Sequence, residues 1–430
     1  TALTMHHRGA IALLRSGEIE AGRAALTRAL RGFGERLPRL PRLALFYEAL
    51  RLALRSRTSV RLPLSPQAEM RLDTLWTSAT ALSMYDPRVA NPLTLRFVRR
   101  ALATGEPRWV IRALALEAAF LSALGGRLRA RAERTMAELR ARAAAIARPY
   151  EDAWVAATEG SMAWLSGDIR RCYEWISHAR ELFLATPETG AYELTLLDSF
   201  RLPAMALLGH HDAVSRIAED VLATARVRGD DVAMLPCLHG HITLAYLGSE
   251  NIELATTRVN EAIAITHHAR SPMSIYHQTW SRATIALFHR DGEQAYRSIM
   301  SAWRSLHRSG ILRLEAIAGD MSYLRARCAL AVALNAHDVQ RARLLRDAKS
   351  QARWLRGSAL ASASGMADVI EFQVAMIEGR DADVRSLANS ASNELAALGL
   401  VFDSAMISRW LNNKTLPIDR VYIIANFTSI

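Results

Sequence analysis

The residues of this chain that could do chemistry fall into a few small groups. His289-Arg290-Asp291 matches the opening of a protein-kinase catalytic loop, in which the Asp is the base and an Asn about five residues on holds Mg2+. That position is Tyr296 here, and no Asp-Phe-Gly follows. The triplet also sits between two helical runs, so a helix-capping turn accounts for it better. Cys237, His239 and His241, in "PCLHGHITL", could ligate a metal. Metal sites draw three or four ligands from more than one element, and helical ligands favour i, i+3 or i+4 spacing. Only Cys237 and His241 would share a helical face, so packing is the simpler account. The pairs His6-His7, His210-His211 and His267-His268 are weaker, because neighbours on a helix diverge by roughly 100°. Lys349, in "LLRDAKSQARW", has no glycine loop before it, which excludes a Walker-type phosphate site. Trp154, Trp164 and Trp175, spaced 10 and 11 apart, could line a ligand groove. Large aromatics more often fill inter-helix cores. No catalytic, cofactor-binding or metal-binding residue is assigned, no cofactor is expected, and an enzyme is the least favoured class.

These residues are carried on a strongly helical chain. Of 430 residues, half are apolar, and Ala, Leu and Arg dominate, all good helix formers. The net charge of +12 comes almost wholly from Arg, since Lys349 and Lys414 are the only two lysines. Such a bias agrees with GC-rich coding as well as with polyanion binding. It does not by itself recommend nucleic acid as a partner, and no helix-turn-helix stands out. Three distant cysteines form no disulfide framework and suit a reducing cytosol, so a cytoplasmic location is expected. No apolar run reaches the roughly 18 residues of a membrane span, and the first residues lack signal-peptide form. Opening on Thr1 agrees with a trimmed Met or with a piece of a longer protein.

One pattern recurs along the chain: an apolar helix end, a turn with Gly or His-Asp, then a new helix. It occurs at Gly17, Gly125, Gly167, Gly209, Gly248, Gly292, His337 and Gly379. From Gly125 the steps are 42, 42, 39, 44, 45 and 42 residues. A helix that ends on a left-handed Gly can fold back into an antiparallel pair, and pairs that cannot bury their apolar faces alone stack. The expected fold is all-α: a right-handed superhelical solenoid of antiparallel pairs, in tetratricopeptide-like repeats of about 42 residues. Residues 125–411 form the regular array, and residues 1–124 form N-terminal helical repeats.

Residues 33–65 hold three prolines and seven arginines against two glutamates. One reading is a basic amphipathic helix for a membrane surface or an acidic partner. The plainer one is an elongated helix with its arginines in solvent. Asp86-Pro87 and Asn91-Pro92, in "SMYDPRVANP", each place a capping residue before Pro and read as helix starts. "ATGEPRW" reads as a further such turn, and the run after it as a helix buried between neighbours.

The segment "LWTSATALSMYDPRVANPLTLRFVRRALATGEPRWVIRALALEAAFLSALGG" resembles part of large bacterial serine/threonine protein kinase–AAA ATPase fusion proteins. In these a kinase domain and an ATPase module precede a long helical-repeat region. "LLRSGEIEAGRAAL" and "LRLEAIAGDMSYLRARCALA" are similar to the same region. The resemblance covers roughly residues 5 to 410 and concerns the repeat region alone. With no lysine before Lys349, no kinase or ATPase residue carries over. The resemblance implies a non-catalytic sensor or interaction region. It would bind a protein, a peptide or a small effector and bias a kinase or ATPase module. Two other readings are a repeat sensor of an ATPase-type transcription regulator, and a stand-alone adaptor or gene remnant. Residues 412–430 depart from the family's Ala- and Arg-rich helix. Ten of the nineteen are Asn, Lys, Ile, Phe or Tyr. The expectation is a tail outside the repeat fold, produced by truncation or frameshift near Leu411.

Overall fold

The computed structural model describes residues 2–16, 18–54, 64–187, 189–267, 271–400, 407, 408 and 411. Gly17 and the tail 412–430 lie outside the described residues. Twenty α-helices and no strand occur among the described residues. The first five are α1 (Ala2–Arg15), α2 (Ile19–Gly32), α3 (Pro41–Ala53), α4 (Pro66–Tyr85) and α5 (Pro87–Thr104). Then come the pairs α6 (Pro107–Leu124) with α7 (Arg129–Ile146), α8 (Pro149–Leu165) with α9 (Ile169–Leu184), and α10 (Ala191–Leu207) with α11 (His211–Arg228). The next unit opens irregularly. It has a single turn, α12 (Asp231–Met234), two 3-10 turns and α13 (Thr243–Gly248), before α14 (Ile252–Thr266). The last pairs are α15 (Pro272–Phe288) with α16 (Gly292–Ser309), α17 (Glu315–Ala333) with α18 (Asp338–Arg356), and α19 (Ala363–Glu378) with α20 (Asp381–Ala397).

The starts of these helices are written locally. Six helices carry Pro at their first position, where a missing N–H costs no bond. Side-chain caps close several of the starts. Ser65 accepts from the Ala68 N–H, Glu106 from Trp109, Asp168 from Arg171, Asn251 from Leu254 and Asp291 from Gln294. The His289-Arg290-Asp291 triplet is therefore a capping turn. One expected start is absent. α5 begins at Pro87 and runs through Pro92. Pro92 lies near enough to the N-terminus that only the carbonyl of Arg88, in the first turn, loses its donor. Asp86 makes no cap bond either, because its carboxylate is held by Arg23 at 2.8 Å.

The seven register turns from Gly125 onward all fall between the two helices of a pair. The expected left-handed Gly is present at Gly125, Gly167, Gly209 and Gly379, with φ of 59, 79, 84 and 70°. Two turns differ. There the left-handed residues are Glu250 and Arg290, at φ 56 and 60°. Gly248 and Gly292 serve close approach instead. A Cβ on Gly248 would collide with the His211 ring, and one on Gly292 would lie 2.9 Å from the Ala331 Cβ.

Each pair has an inner and an outer member. α17 is buried on every side, with Ile317, Met321, Leu324, Cys328 and Val332 all in the core. α16, "GEQAYRSIMSAWRSLHRS", buries one stripe of Ala295, Ile299 and Leu306. The array also curls back on itself. α17 touches α6 and α8, Ala361 N–H donates to the Ser166 carbonyl at 2.8 Å, and Arg129 Nη2 donates to the Ala359 carbonyl at 3.1 Å. One core cluster consequently runs from Ala10 to Ile407. No described helix is long and apolar enough to cross a membrane.

The segment 33–65 is not one elongated helix. α3 is 13 residues long, and residues 55–63 lie outside the described set. Arg36, Arg39, Arg42 and Arg51 do stand in solvent. The two glutamates are turned inward. Glu48 holds Arg96 at 2.7 Å and Arg99 at 3.0 Å, and Glu35 holds Arg71 and Arg100 at 2.7 and 2.6 Å.

Candidate functional site

Two places in the fold gather polar side chains beyond what capping needs. The first lies where α8, α10, α15 and α17 converge on the irregular unit before α13. Asp320, on the core helix α17, accepts three hydrogen bonds. The donors are Tyr276 Oη at 2.6 Å, Trp280 Nε1 at 3.1 Å and His241 Nε2, which lies 3.2 Å away. Burial pushes the Asp320 carboxyl up, but the His241 charge and these donors outweigh it and hold it below the usual value. A carboxylate held by three donors is a poor base. Among the described residues no serine, threonine or cysteine is hydrogen-bonded to His241, so no nucleophile completes a triad.

Beside this cluster the His239 and His277 rings meet edge to face, with Nδ1 3.3 Å from Nδ1. One nitrogen must donate and the other accept, which requires the accepting ring to be neutral. Burial lowers His239 to about 4 and His277 well below its ordinary value. Gly240 N–H and Thr243 Oγ1 both donate to Ser281 Oγ, which closes the break in the helix. That break is the reason the Cys237, His239, His241 set does not act together. His239 is extended, at φ −151°, and Gly240 is left-handed, so the three side chains leave in different directions. Cys237 is buried, its thiol pushed up to about 12 by burial, and its carbonyl accepts from Tyr246 Oη. Among the described residues no group of three His, Cys, Asp or Glu is placed to hold a metal ion.

The three tryptophans part company. Trp154 is core, edge-on to Trp76 and Phe183. Trp164 reaches the polar cluster, edge-on to Phe200 and His241. Trp175 lies on α9 beside His178.

The second place is a cleft of about 400 Å³ between α18, α19 and α20. Its floor is Ala352, Val374 and Leu387, and its walls carry Arg346, Lys349, Arg353 and Arg380, with Glu371. Lys349 and Arg380 share Glu378, at 2.6 and 3.1 Å, and Glu371 is held by Arg356 at 2.8 Å. Among the described residues neither Arg346 nor Arg353 has a carboxylate partner. Arg346, Lys349 and Arg353 stand at i, i+3 and i+7 on α18, on one face. The cleft thus offers two unneutralised guanidiniums above an apolar floor. It can hold a carboxylate-bearing chain by bidentate bonds and bury its apolar atoms below.

The sequence carried a signal for the first place only. A carboxylate set among Ile317, Ala318, Met321 and Leu324, as Asp320 is, has to be satisfied by neighbours. The α18 arginines looked like any solvated charged face, and only the packing of α19 and α20 against them makes a cleft. No protein-family model and no curated protein sequence matches this chain.

Proposed function

We propose that the chain is a non-catalytic binding scaffold, the interaction region of a serine/threonine kinase–ATPase signalling protein, and that it holds an acidic segment of a protein partner in the cleft of α18, α19 and α20. The signalling half of this reading rests on the resemblance of residues 75–126 and 312–331. The binding half rests on one observation: among the described residues Arg346 and Arg353 have no carboxylate partner, and they stand over an apolar floor. In this reading the array is a right-handed superhelix of tetratricopeptide-like repeats working in the cytoplasm. Occupancy of the cleft would couple through α17 and α18 to the rest of the array, since α17 touches both its neighbours and the early helices α6 and α8.

Hydrogen–deuterium exchange with and without an oligo-glutamate peptide tests the site. Slowed exchange concentrated in α18, α19 and α20 is the expected result. Protection spread evenly over the arginine-rich surface, or none, would remove the cleft from the account.

A further inference from the structure

α3 carries its apolar face outward. Leu40, Leu43, Phe46, Tyr47, Leu50 and Leu54 are between 46 and 77% exposed. They are six of the thirteen exposed large apolar side chains among the described residues, so the patch is a concentration and not background. Within the helix their spacing is i, i+3, i+4, i+7, which makes one continuous stripe. The opposite side of α3 packs on α5, where Glu48 meets Arg96 and Arg99.

The rim of the stripe carries one arginine on each flank. At roughly 100° per residue, Arg42 falls on one flank of the stripe and Arg51 on the other, each about 90° from its centre. Arg51 is held along the edge by Tyr47, through Nη1 to Oη at 3.1 Å and over the ring at 5.4 Å. Arg36 and Arg39 are exposed just before the helix. From residue 36 to residue 54 the one carboxylate is Glu48, and it is buried.

From this juxtaposition we infer that α3 docks on an anionic lipid bilayer, lying in the plane of the interface. The leucines and Phe46 enter the acyl boundary, Tyr47 sits at headgroup level, and the arginines snorkel outward to lipid phosphates. A convex helix rimmed by cations on both flanks, with no exposed carboxylate, complements a negative surface. This goes beyond the cleft and uses none of its residues.

Co-sedimentation of the full chain with vesicles of stated composition decides it. Vesicles of phosphatidylcholine and phosphatidylserine in equal parts should bind the chain, phosphatidylcholine alone should bind it weakly, and added salt should weaken the anionic case. Phe46→Asp with Leu50→Asp should reduce binding roughly tenfold or more. Each of Arg42→Glu and Arg51→Glu should cost about fivefold or more. The side chains are exposed, so the thermal midpoint should not move, and Arg346→Glu with Arg353→Glu should leave vesicle binding unchanged. No binding to either vesicle would overturn the proposal, as would binding that survives the Phe46/Leu50 change. A dimer in sedimentation velocity that this change dissolves would do so too, by assigning the stripe to a second copy.

Discussion

At the scale of single residues, burial sets what the polar groups can do. His239 is neutral in the fold because burial lowers its pKa from 6.5 to about 4, and His277 is lowered in the same sense. Below pH 6.5 the unfolded chain takes up protons that the folded chain refuses until about pH 4. Stability from this pair is therefore complete above pH 6.5 and is lost as the pH falls towards 4. Urea unfolding at pH 5 should show about 2 kcal/mol less stability than at pH 7 from His239 alone. His239→Gln should flatten that slope, and equal stability at the two pH values would mean the rings are not buried as described. A second residue is charged and buried. Arg112 stacks against Trp76, Trp109 and Tyr150, at 5.2 to 5.7 Å from their ring centres, and lies 3.6 Å from Glu193. Arg112→Met should cost about 3–5 kcal/mol, because it strands the Glu193 charge. Adding Glu193→Gln should recover much of this, since the amide oxygen can still cap Gly190 while the NH2 donates to the Tyr150 hydroxyl that Arg112 has vacated. A double-mutant cycle with no recovery would show that the loss comes from packing alone.

At the scale of elements, the two kinds of turn glycine respond differently to a methyl group. Gly292→Ala drives a Cβ to within 2.9 Å of the Ala331 Cβ and 3.0 Å of its backbone carbon, atoms that cannot step aside. It should cost about 1–3 kcal/mol. Gly379→Ala meets nothing within 4 Å but keeps φ at 70°. It should cost about 1 kcal/mol. Arg290→Gly relieves a left-handed arginine and should stabilise by up to about 1 kcal/mol. Denaturant midpoints rank the three, and a midpoint for Gly292→Ala at or above that of Gly379→Ala would contradict the close approach. The spacing of these turns was legible in the sequence, because each pair repeats the same apolar run and breaker. Which glycine serves the bend and which serves contact was not. That depends on α17 reaching α16 and on His211 reaching Gly248, and neither is local. For the same reason "ANP" looked like a start inside α5, while the outward face of α3 was hidden by a pattern that shows amphipathicity without showing its direction. The cleft and the Asp320 cluster likewise exist only once distant helices pack.

At the scale of the whole molecule, the array is closed and not an open ribbon. An open solenoid holds each repeat by its neighbours and unfolds in stages. Here Glu315 Oε1 accepts from Ser358 Oγ at 2.9 Å and from Ala359 N–H at 2.8 Å. It thereby fixes the 357–362 turn that reaches Ser166 and Arg129. Tryptophan fluorescence and circular dichroism should therefore report one coincident unfolding transition. Glu315→Ala should separate them, and separate transitions in the unaltered chain would show that the closure is weak. Closure also decides where a partner can bind. The inner helices are occupied by each other around Trp164, His241 and Asp320, so the open ground is outside, at α18, α19 and α20 and on α3.

In the proposed function the cleft binds acidic segments through Arg346 and Arg353. Fluorescence anisotropy of a labelled oligo-glutamate peptide tests it most directly against two double variants, Arg346→Glu with Arg353→Glu and Arg134→Glu with Arg308→Glu. Both lower the net charge of +12 by four, but only the first touches the cleft. The cleft variant should weaken binding roughly tenfold or more while the control stays near the unaltered chain. Equal losses in both would show that the peptide reads overall charge, and the cleft would not be the binding site.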